Sequence, residues 1–135
     1  MKKSVLIAAL FLAACGGSSP DNKSAGQQPV QKEVYKTTAQ QLYKDYEANE
    51  VAADEKMKGK LIEISGTVDS IDKDAFDNIV VHLKTGDAFS AAMVGMKDSE
   101  KQKAIALKKG AKITATCESS SRVMGSPALQ KCVLP

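Results

Sequence analysis

The chain is poor in the side chains that most often carry out catalysis or hold metals. Its 135 residues include no tryptophan, a single histidine, His82, and a single arginine, Arg122. No GxSxG elbow, phosphate-binding loop or HExxH motif is present. Two cysteines and one distant histidine would make a poor zinc site. We therefore expect a protein that is not an enzyme and that needs no cofactor or metal.

The chain also lacks a strong excess of charge of either sign. The formal net charge is +3, but Lys2 and Lys3 belong to an N-terminal segment that we expect to be removed. From Cys15 onward, 17 basic residues face 16 acidic ones. A net charge near +1 creates no field that would collect polyanions, so the composition does not indicate nucleic-acid binding.

The N-terminus has the features of an export signal. Lys2 and Lys3 precede a run of about ten apolar residues, which is too short to span a bilayer. The run ends Leu12-Ala13-Ala14-Cys15, which resembles the lipobox of bacterial lipoproteins. That resemblance implies cleavage after Ala14, diacylglycerol and an acyl chain on Cys15, and stable membrane anchoring. The alternative is an ordinary secretory signal with a cysteine nearby by chance.

The predicted organisation is a signal peptide over 1–14, a flexible tether over 15–33 and one folded domain over 34–135. The tether is rich in Gly, Ser, Pro, Asn and Gln and has almost nothing to bury. Gly16 follows the cysteine where aspartate would retain an enterobacterial lipoprotein in the inner membrane. We therefore expect a location in the cell envelope, with the periplasmic face of the outer membrane favoured over the inner membrane.

The folded domain is predicted to begin with a helix that carries two of the three tyrosines. Two overlapping capping boxes, Thr37 with Gln40 and Thr38 with Gln41, mark its start. Leu42, Tyr43 and Tyr46 then share one helical face. This stripe either packs on the domain itself, which such stripes usually do, or forms a partner contact. A second short helix is predicted over 51–58, with Gly59 ending it.

The rest of the chain alternates as strands do, with one helical interruption. Ile62, Ile64 and Val68 define a first strand, with a bulge or bend expected at Gly66. A hairpin should follow that turns at residues 85–87. Its predicted inward residues are Ile79, Val81 and Leu83 on one strand and Phe89, Ala91 and Met93 on the other. A helix over 98–110, capped by Asp98 or Ser99, precedes two strands that include Ile113, Ala115 and Cys117 and then residues 127–135.

Three strands, a helix and two more strands, with a bulged first strand, predict a mainly β fold: a five-stranded OB-fold Greek-key barrel preceded by an N-terminal helix. The segments YEANEVAADEKMKGKLIEISGTVDSI and LKKGAKITATCE and the late LQKCVL resemble the family of tRNA-anti-like OB-fold lipoproteins. The resemblance covers about 43–134. It implies the fold and brings no catalytic or binding residues with it. Because Trp is absent and the predicted outer positions of strands two and three offer no stacking surface, we expect no nucleic-acid partner.

Cys117 and Cys132 are predicted to form a disulfide. An exported domain meets an oxidising compartment, and a CxxC redox motif is absent. A hairpin centred between Met124 and Gly125 would place the two cysteines directly opposite each other. In a regular strand, however, Leu129 and Cys132 would fall on opposite faces. The last strand therefore has a bulge or is buried on both sides.

The remaining polar candidates each have a plain structural interpretation. His82 is predicted to lie exposed on the outer face. Four acids crowd the end of the first strand and the loop after it; they are Asp69, Asp72, Asp74 and Asp77. They could bind a cation, but they lack the spacing of an EF-hand, so a solvated turn is favoured. Arg122, near a hairpin tip, could hold a carboxylate or phosphate or could be solvated.

Two functions stay open. The first is a non-catalytic envelope adaptor or assembly factor that contacts a protein partner, with Tyr43, Tyr46 and Arg122 as candidate contacts. It predicts an exposed apolar patch. The second is a small binding module for an oligosaccharide, a peptidoglycan fragment or a cation. It predicts a groove with convergent polar groups near strands two and three.

Overall fold

The computed structural model describes residues 31–135, which contain seven strands, three α-helices and one 3-10 helix. The strands are β1 (Val34–Thr38), β2 (Leu61–Lys73), β3 (Ile79–Lys84), β4 (Ala91–Met96), β5 (Lys112–Cys117), β6 (Ser119–Val123) and β7 (Ser126–Cys132). The helices are α1 (Ala39–Ala48), α2 (Glu50–Met57) and α3 (Lys101–Ile105), with the 3-10 helix at Asp98–Glu100. The predicted signal peptide, Cys15 and the tether up to residue 30 lie outside the described residues.

The strands curl into the predicted barrel. The first half of β2 pairs with β5, and its second half pairs with β3. The sheet then continues through β4 and β7 to β6, with β4 and β7 parallel. A bridge between Thr116 and Val133 joins β5 to the end of β7. Since only Glu118 separates β5 from β6, these two are halves of one bent strand, and the five-stranded OB-fold topology is confirmed.

The helical segment before the barrel forms as its local sequence predicts. The Thr38 hydroxyl accepts a hydrogen bond from Gln41 N at 3.1 Å and caps α1. The Asn49 side chain accepts one from Ala52 N at 3.0 Å and caps α2. Along α1, Leu42 and Tyr46 are buried against the barrel. Among residues 31–135, no helix has the length and apolar character needed to cross a membrane.

A short strand, β1, precedes the first helix and was not predicted from the sequence. β1 pairs in parallel with the start of β2, from Val34 opposite Leu61 to Thr38 opposite Ser65. Its sequence, VYKTT, is rich in β-branched and aromatic residues and so carried a usable strand signal. The stretch was too short to show a clear period of two, and its pairing partner lies more than 20 residues later in the chain.

The inward face of β4 differs from the prediction by one residue. Ala92, Val94 and Met96 are buried, while Phe89 is 97% exposed, so the predicted inward set Phe89, Ala91 and Met93 is wrong. The cause is the loop before β4, which spans residues 85–90 instead of a three-residue turn. The buried Thr85 hydroxyl organises this loop through hydrogen bonds with the Ser90 carbonyl and Asp87 N. Because side chains alternate in a strand, one residue of shift exchanges its two faces.

A bulge in β7 explains how Leu129 and Cys132 are both buried. The pairing with β4 places Val94 opposite Leu129 and Met96 opposite Cys132, so β7 has one extra residue in this interval. Lys131 takes up the change with a φ of 53°. Both features that the sequence allowed are present, since the bulge lies next to a stretch, Pro127 to Leu129, that is buried on both sides of the strand.

Two smaller expectations also need correction. The bulge in β2 lies between Val68 and Ser70, not at Gly66. A Cβ on Gly66 would lie 3.1 Å from the Leu83 side chain and 3.2 Å from Ala39, so this glycine permits close packing. The helical stretch after β4 has no side-chain cap from Asp98 or Ser99. Instead, the Glu100 carboxylate accepts a hydrogen bond from Leu134 N at 3.0 Å, which fastens the C-terminal segment.

Candidate functional site

A groove of about 670 Å³ crosses the outer face of the sheet formed by β3, β4 and β7. The loop between β2 and β3 borders it on one side, and the β6–β7 hairpin borders it on the other. In an OB-fold this position, between these two loops and over the second and third strands, is where oligomeric ligands bind. Its volume lies in the usual range for ligand pockets.

The floor of the groove is apolar and has a gap in its centre. Met93 on β4 lies between His82 on β3 and Ala128 on β7. In the next row, Val80 on β3 lies opposite Gly95 on β4. A Cβ on Gly95 would lie 3.2 Å from both Gln130 Oε1 and the Leu129 carbonyl, so glycine is what keeps the floor open beside β7.

One border of the groove is a turn that Asp74 holds in shape. Its Oδ1 accepts hydrogen bonds from Phe76 N and Asn78 N, both at 2.9 Å, and its Oδ2 accepts one from Asn78 Nδ2 at 3.0 Å. These hydrogen bonds hold the pKa of Asp74 below its usual range, and the one from the Asn78 side chain has the largest effect. The turn presents Phe76 to solvent with 85% of its surface exposed.

The opposite border is the tip of the β6–β7 hairpin. Val123 lines the groove, and the adjacent Met124 is fully exposed with a φ of 48°. Gly125 follows with a φ of 85°. Two consecutive left-handed residues are typical of a type I′ turn, the tight hairpin connection whose twist matches its strands. Large apolar side chains therefore stand exposed on both loops that flank the groove.

The charges around the groove nearly cancel, and both lysines pair with one glutamate. Lys97 Nζ lies 2.6 Å from Glu118 Oε1, and Lys131 Nζ lies 3.9 Å from Glu118 Oε2. The hydrogen bond from Lys97 holds the pKa of Glu118 below its usual range. With Asp74 and Asp98, the lining has three carboxylates and two lysines. Such a surface has no net attraction for a polyanion.

Of the four acids in β2 and in the loop after it, Asp72, Asp74 and Asp77 make local hydrogen bonds. Asp72 accepts one from the Ser70 hydroxyl at 2.6 Å and lies 3.5 Å from His82 Nε2. Lys73 Nζ lies 2.6 Å from Asp77 and lowers its pKa. Within residues 31–135, no three side chains among His, Cys, Asp and Glu are grouped as metal ligands would be. The groove offers a ligand an apolar floor and polar side chains at its borders.

The three predicted partner-contact residues lie away from this groove. Tyr46 is only 1% exposed, which confirms for this residue the favoured interpretation that the tyrosine face packs on the domain, and it is therefore not a partner contact. Its hydroxyl lies 3.0 Å from Asp54 Oδ1 and 2.9 Å from Ser120 Oγ, and burial, above all, raises its pKa to about 12. Tyr43 is partly exposed and borders a shallow cleft beside the β3–β4 loop.

Arg122 has an intramolecular role in the structure. Its Nη1 donates to the Tyr46 carbonyl at 3.2 Å, and its Nη2 pairs with Glu47. The guanidinium thus holds the β6–β7 hairpin against the last turn of α1. Since the Arg122 side chain is mostly covered, the hairpin tip presents Met124 instead of the arginine.

Cys117 and Cys132 are joined by a disulfide, as predicted. Their Cα atoms are 4.0 Å apart, and both residues are fully buried. The predicted register holds on both sides of the pair, with Thr116 opposite Val133 and Ser119 opposite Gln130. The bond fastens the end of β5 to the end of β7, directly after Gln130 and Lys131 of the groove lining.

Sequence reasoning missed the residues that build the groove floor. Met93 was expected inside the barrel, and Gly95 and Gln130 were not singled out. Their role depends on which side chains of β4 face outward. It depends also on the parallel pairing of β4 with β7, which joins segments more than 30 residues apart. The only local signal was Gly95 within an otherwise apolar strand, since such a glycine often marks a close approach.

Comparison with known proteins identifies the family and the fold. The profile of the family described as tRNA_anti-like matches residues 2–133. A crystal structure named "putative nucleic acid-binding lipoprotein", from Klebsiella pneumoniae, aligns with a TM-score of 0.56 and 16% sequence identity. The alignment covers 76% of this chain and 92% of that one. No match was found among curated proteins. At this identity the Klebsiella structure supports the OB-fold.

Proposed function

The chain belongs to the tRNA_anti-like family of OB-fold domains, and we propose that it is a lipid-anchored envelope protein whose domain binds a protein partner without catalysis. In this proposal the partner occupies the groove over β3, β4 and β7. The role is that of an adaptor or assembly factor, which brings the partner to the membrane surface.

Two observations support the lipid anchor. The segment Leu12-Ala13-Ala14-Cys15 follows a charged and then apolar N-terminus, as in lipoprotein precursors. The Klebsiella protein with the same fold is also named a lipoprotein. Acyl chains on Cys15 would keep the domain within one tether length of the membrane. Gly16 favours the periplasmic face of the outer membrane for this anchor.

The observation that carries the proposal is the pairing of an apolar floor with exposed apolar side chains on both borders. Val80, Met93 and Ala128 line the floor. Phe76 on one flanking loop is 85% exposed, and Met124 on the other is fully exposed. An apolar floor with exposed Phe and Met side chains on the two flanking loops gives a partner apolar surface to bury, and burying apolar surface favours binding. A protein segment with apolar side chains would bury them.

The same groove is a poor match for a nucleic acid. Proteins that bind single strands stack the bases on aromatic side chains within a positively charged channel. This floor contains no aromatic side chain apart from the imidazole of His82 at its edge, and the groove lining contains more carboxylates than lysines. The name of the Klebsiella protein describes that protein, and a nucleic-acid adduct is therefore one outcome that our test must be able to detect.

The test is photocrosslinking of the full-length lipidated protein in intact cells. A photoreactive residue is placed at Val80 or Val123 in the groove, and a control residue at Val51, which is exposed on α2. We expect a discrete protein adduct from the groove positions and none from the control. The adduct must also disappear when Met93→Glu places a charge on the floor, and it must persist with Val51→Glu.

Each other result would overturn the adaptor proposal. A glycan adduct that depends on Met93 would indicate the alternative, a binding module for an oligosaccharide or a peptidoglycan fragment. A nucleic-acid adduct would indicate the activity in the name of the Klebsiella protein. Adducts that are equal for Val51 and groove positions, or that survive Met93→Glu, would mean that the groove is not the binding surface. Circular dichroism of Met93→Glu controls for its folding.

A further inference from the structure

A second cleft, of about 520 Å³, lies on the part of the barrel where β5, β2 and β3 are neighbours. It is distinct from the groove, with which it shares no residue. Its lining includes four hydroxyl groups, those of Thr38, Ser65, Thr67 and Thr114. Lys84 and Lys112 are its charged side chains, and no carboxylate lines it.

The strand register places these side chains in one row. Lys112 on β5 lies directly opposite Thr67 on β2. On the other side of β2, Val68 pairs with Leu83, so Lys84 lies next to Thr67. The two lysines therefore flank one threonine on three adjacent strands, with their Cα atoms about 10 Å apart by ordinary strand spacing. In the neighbouring row, Ser65 Oγ and Thr114 Oγ1 are 3.0 Å apart.

The positive charge of this row is not neutralised within the described part of the domain. None of the ion pairs found among residues 31–135 includes Lys84 or Lys112. Asp69 and Asp87 line an adjoining cleft that Lys84 also borders, and neither forms an ion pair with it. Like charges held on one face of a sheet repel each other, and a bound anion would relieve that repulsion.

We propose that this cleft binds a phosphate group, with Lys84 and Lys112 on its two sides and the Thr67 hydroxyl between them. Lysine ammonium groups supply point charges for phosphate, and hydroxyls donate hydrogen bonds to its oxygens. The phosphate belongs either to the headgroup of an anionic lipid or to a free phosphate compound. The volume of the cleft exceeds that of phosphate alone and leaves room for a headgroup.

The proposal can be tested by lysine footprinting of the full-length protein. An amine-acetylating reagent is applied, and mass spectrometry gives the rate of modification at each lysine. Lys56 is the internal control, because it is exposed on α2, lies outside the cleft and has no ion pair among the described residues. One set of samples contains detergent-solubilised protein with inorganic phosphate or with chloride at equal ionic strength. A second set contains vesicles of phosphatidylcholine, with or without phosphatidylglycerol.

We expect the modification of Lys84 and Lys112 to slow several-fold relative to Lys56. Slowing with inorganic phosphate in detergent would assign the site to the phosphate group itself. Slowing only with phosphatidylglycerol would assign it to the lipid headgroup. Equal rates for phosphate and chloride together with equal rates for the two vesicle types would overturn the proposal.

Variants separate a site from simple charge screening. Lys84→Gln should abolish the protection of Lys112, and Thr67→Val should weaken it, whereas Lys56→Gln should leave it intact. Protection of Lys112 that survives Lys84→Gln would contradict a shared anion. All three substitutions are at exposed or partly exposed positions, so the circular dichroism spectra should match that of the native protein.

Discussion

The hydroxyl of Tyr46 on α1 lies 2.9 Å from the hydroxyl of Ser120 on β6, 74 residues further along the chain. The same phenol also donates to Asp54 Oδ1 on α2 at 3.0 Å. One buried side chain thus connects α1 and α2 to β6, the strand at the end of the sheet. The helical segment is consequently an integral part of the domain, and the face of α1 that carries Tyr46 is not available to a partner.

Replacing this phenol should make the stability of the domain respond differently to alkaline pH. Burial raises the pKa of Tyr46 from 10.0 to about 12, so the unfolded chain loses the phenol proton before the folded protein does. The higher pKa in the folded state therefore contributes roughly 3 kcal/mol to the free energy of unfolding relative to strongly alkaline conditions. This contribution is fully present below pH 10 and is lost as pH rises through 12. Below pH 10, Tyr46→Phe should cost about 1 kcal/mol for its lost hydrogen bonds.

The measurement is urea unfolding of the native protein and of the Tyr46→Phe variant at several pH values. The native protein should be the more stable of the two below pH 10, and the Tyr46→Phe variant should become the more stable near pH 12. Only the difference between the two proteins at each pH is informative, because any other effect of alkaline pH is common to both. A difference that stays constant with pH would contradict the altered ionisation of this tyrosine.

Arg122 should stabilise the hairpin mainly through its hydrogen bond and packing, with a smaller part from its ion pair. Its side chain is 23% exposed and that of Glu47 is 48% exposed, so water weakens their attraction. A double-mutant cycle with Arg122→Ala and Glu47→Ala should therefore give a coupling energy of at most about 1 kcal/mol. Arg122→Ala alone should cost about 1–2 kcal/mol, because the Tyr46 carbonyl also loses its donor.

Urea unfolding of the two single variants and the double variant provides these values. Arg122→Lys is the matched control, since it keeps the charge but loses the forked geometry that reaches both partners. It should be less stable than the native protein. Full stability in Arg122→Lys, or a coupling energy well above about 1 kcal/mol, would mean that the charge itself is dominant.

Removing the disulfide should weaken the domain markedly without changing its fold. The bond closes a loop with a sequence separation of 15, for which chain entropy predicts a stabilisation of about 3 kcal/mol. We expect this loss for Cys117→Ala combined with Cys132→Ala, together with a further cost from the cavity, since both cysteines are fully buried.

Urea unfolding with and without a reducing agent separates the two contributions. Reductant should lower the midpoint for the native protein and leave the double-alanine variant unchanged. If reductant has the same small effect on both, the bond contributes little to stability, and packing around the two cysteines is the larger factor.

Lys131→Gly should stabilise the domain, although it removes a side chain from the groove border. Lys131 has a φ of 53°, a conformation that costs an L-residue roughly 1–2 kcal/mol and costs glycine almost nothing. The lost ion pair with Glu118 is long, at 3.9 Å, and exposed, so it offsets little of the gain. Glycine has greater freedom in the unfolded chain, which offsets part of this gain. We expect the net stabilisation to be about 1 kcal/mol.

The control is Gln130→Gly, one residue earlier, where the backbone has no such strain and glycine should destabilise the strand. Thermal unfolding of both variants shows the contrast. Lower stability of Lys131→Gly would indicate that the bulge is held by the lysine side chain and not merely tolerated by it.

Features that depend on near neighbours in the chain were accessible from the sequence. Thr38 caps α1, and a cap of this kind involves residues only three apart. The alternation from Ile62 to Val68 marks β2 as a half-buried strand. The pairing of Cys117 with Cys132 followed from one tight turn at Met124 and Gly125, because register is constant along a hairpin that stays regular.

Features that depend on distant contacts or on loop conformation were decided by the tertiary structure. The six-residue loop before β4 reversed the faces of that strand, which placed Met93 in the groove instead of the core. Packing against the barrel turned Tyr46 from a candidate contact into a buried connection between helices and strand. The groove itself exists only because β4 and β7 lie side by side. No local propensity specifies that contact, since its stabilisation comes from burying Val94 and Leu129 together within one core.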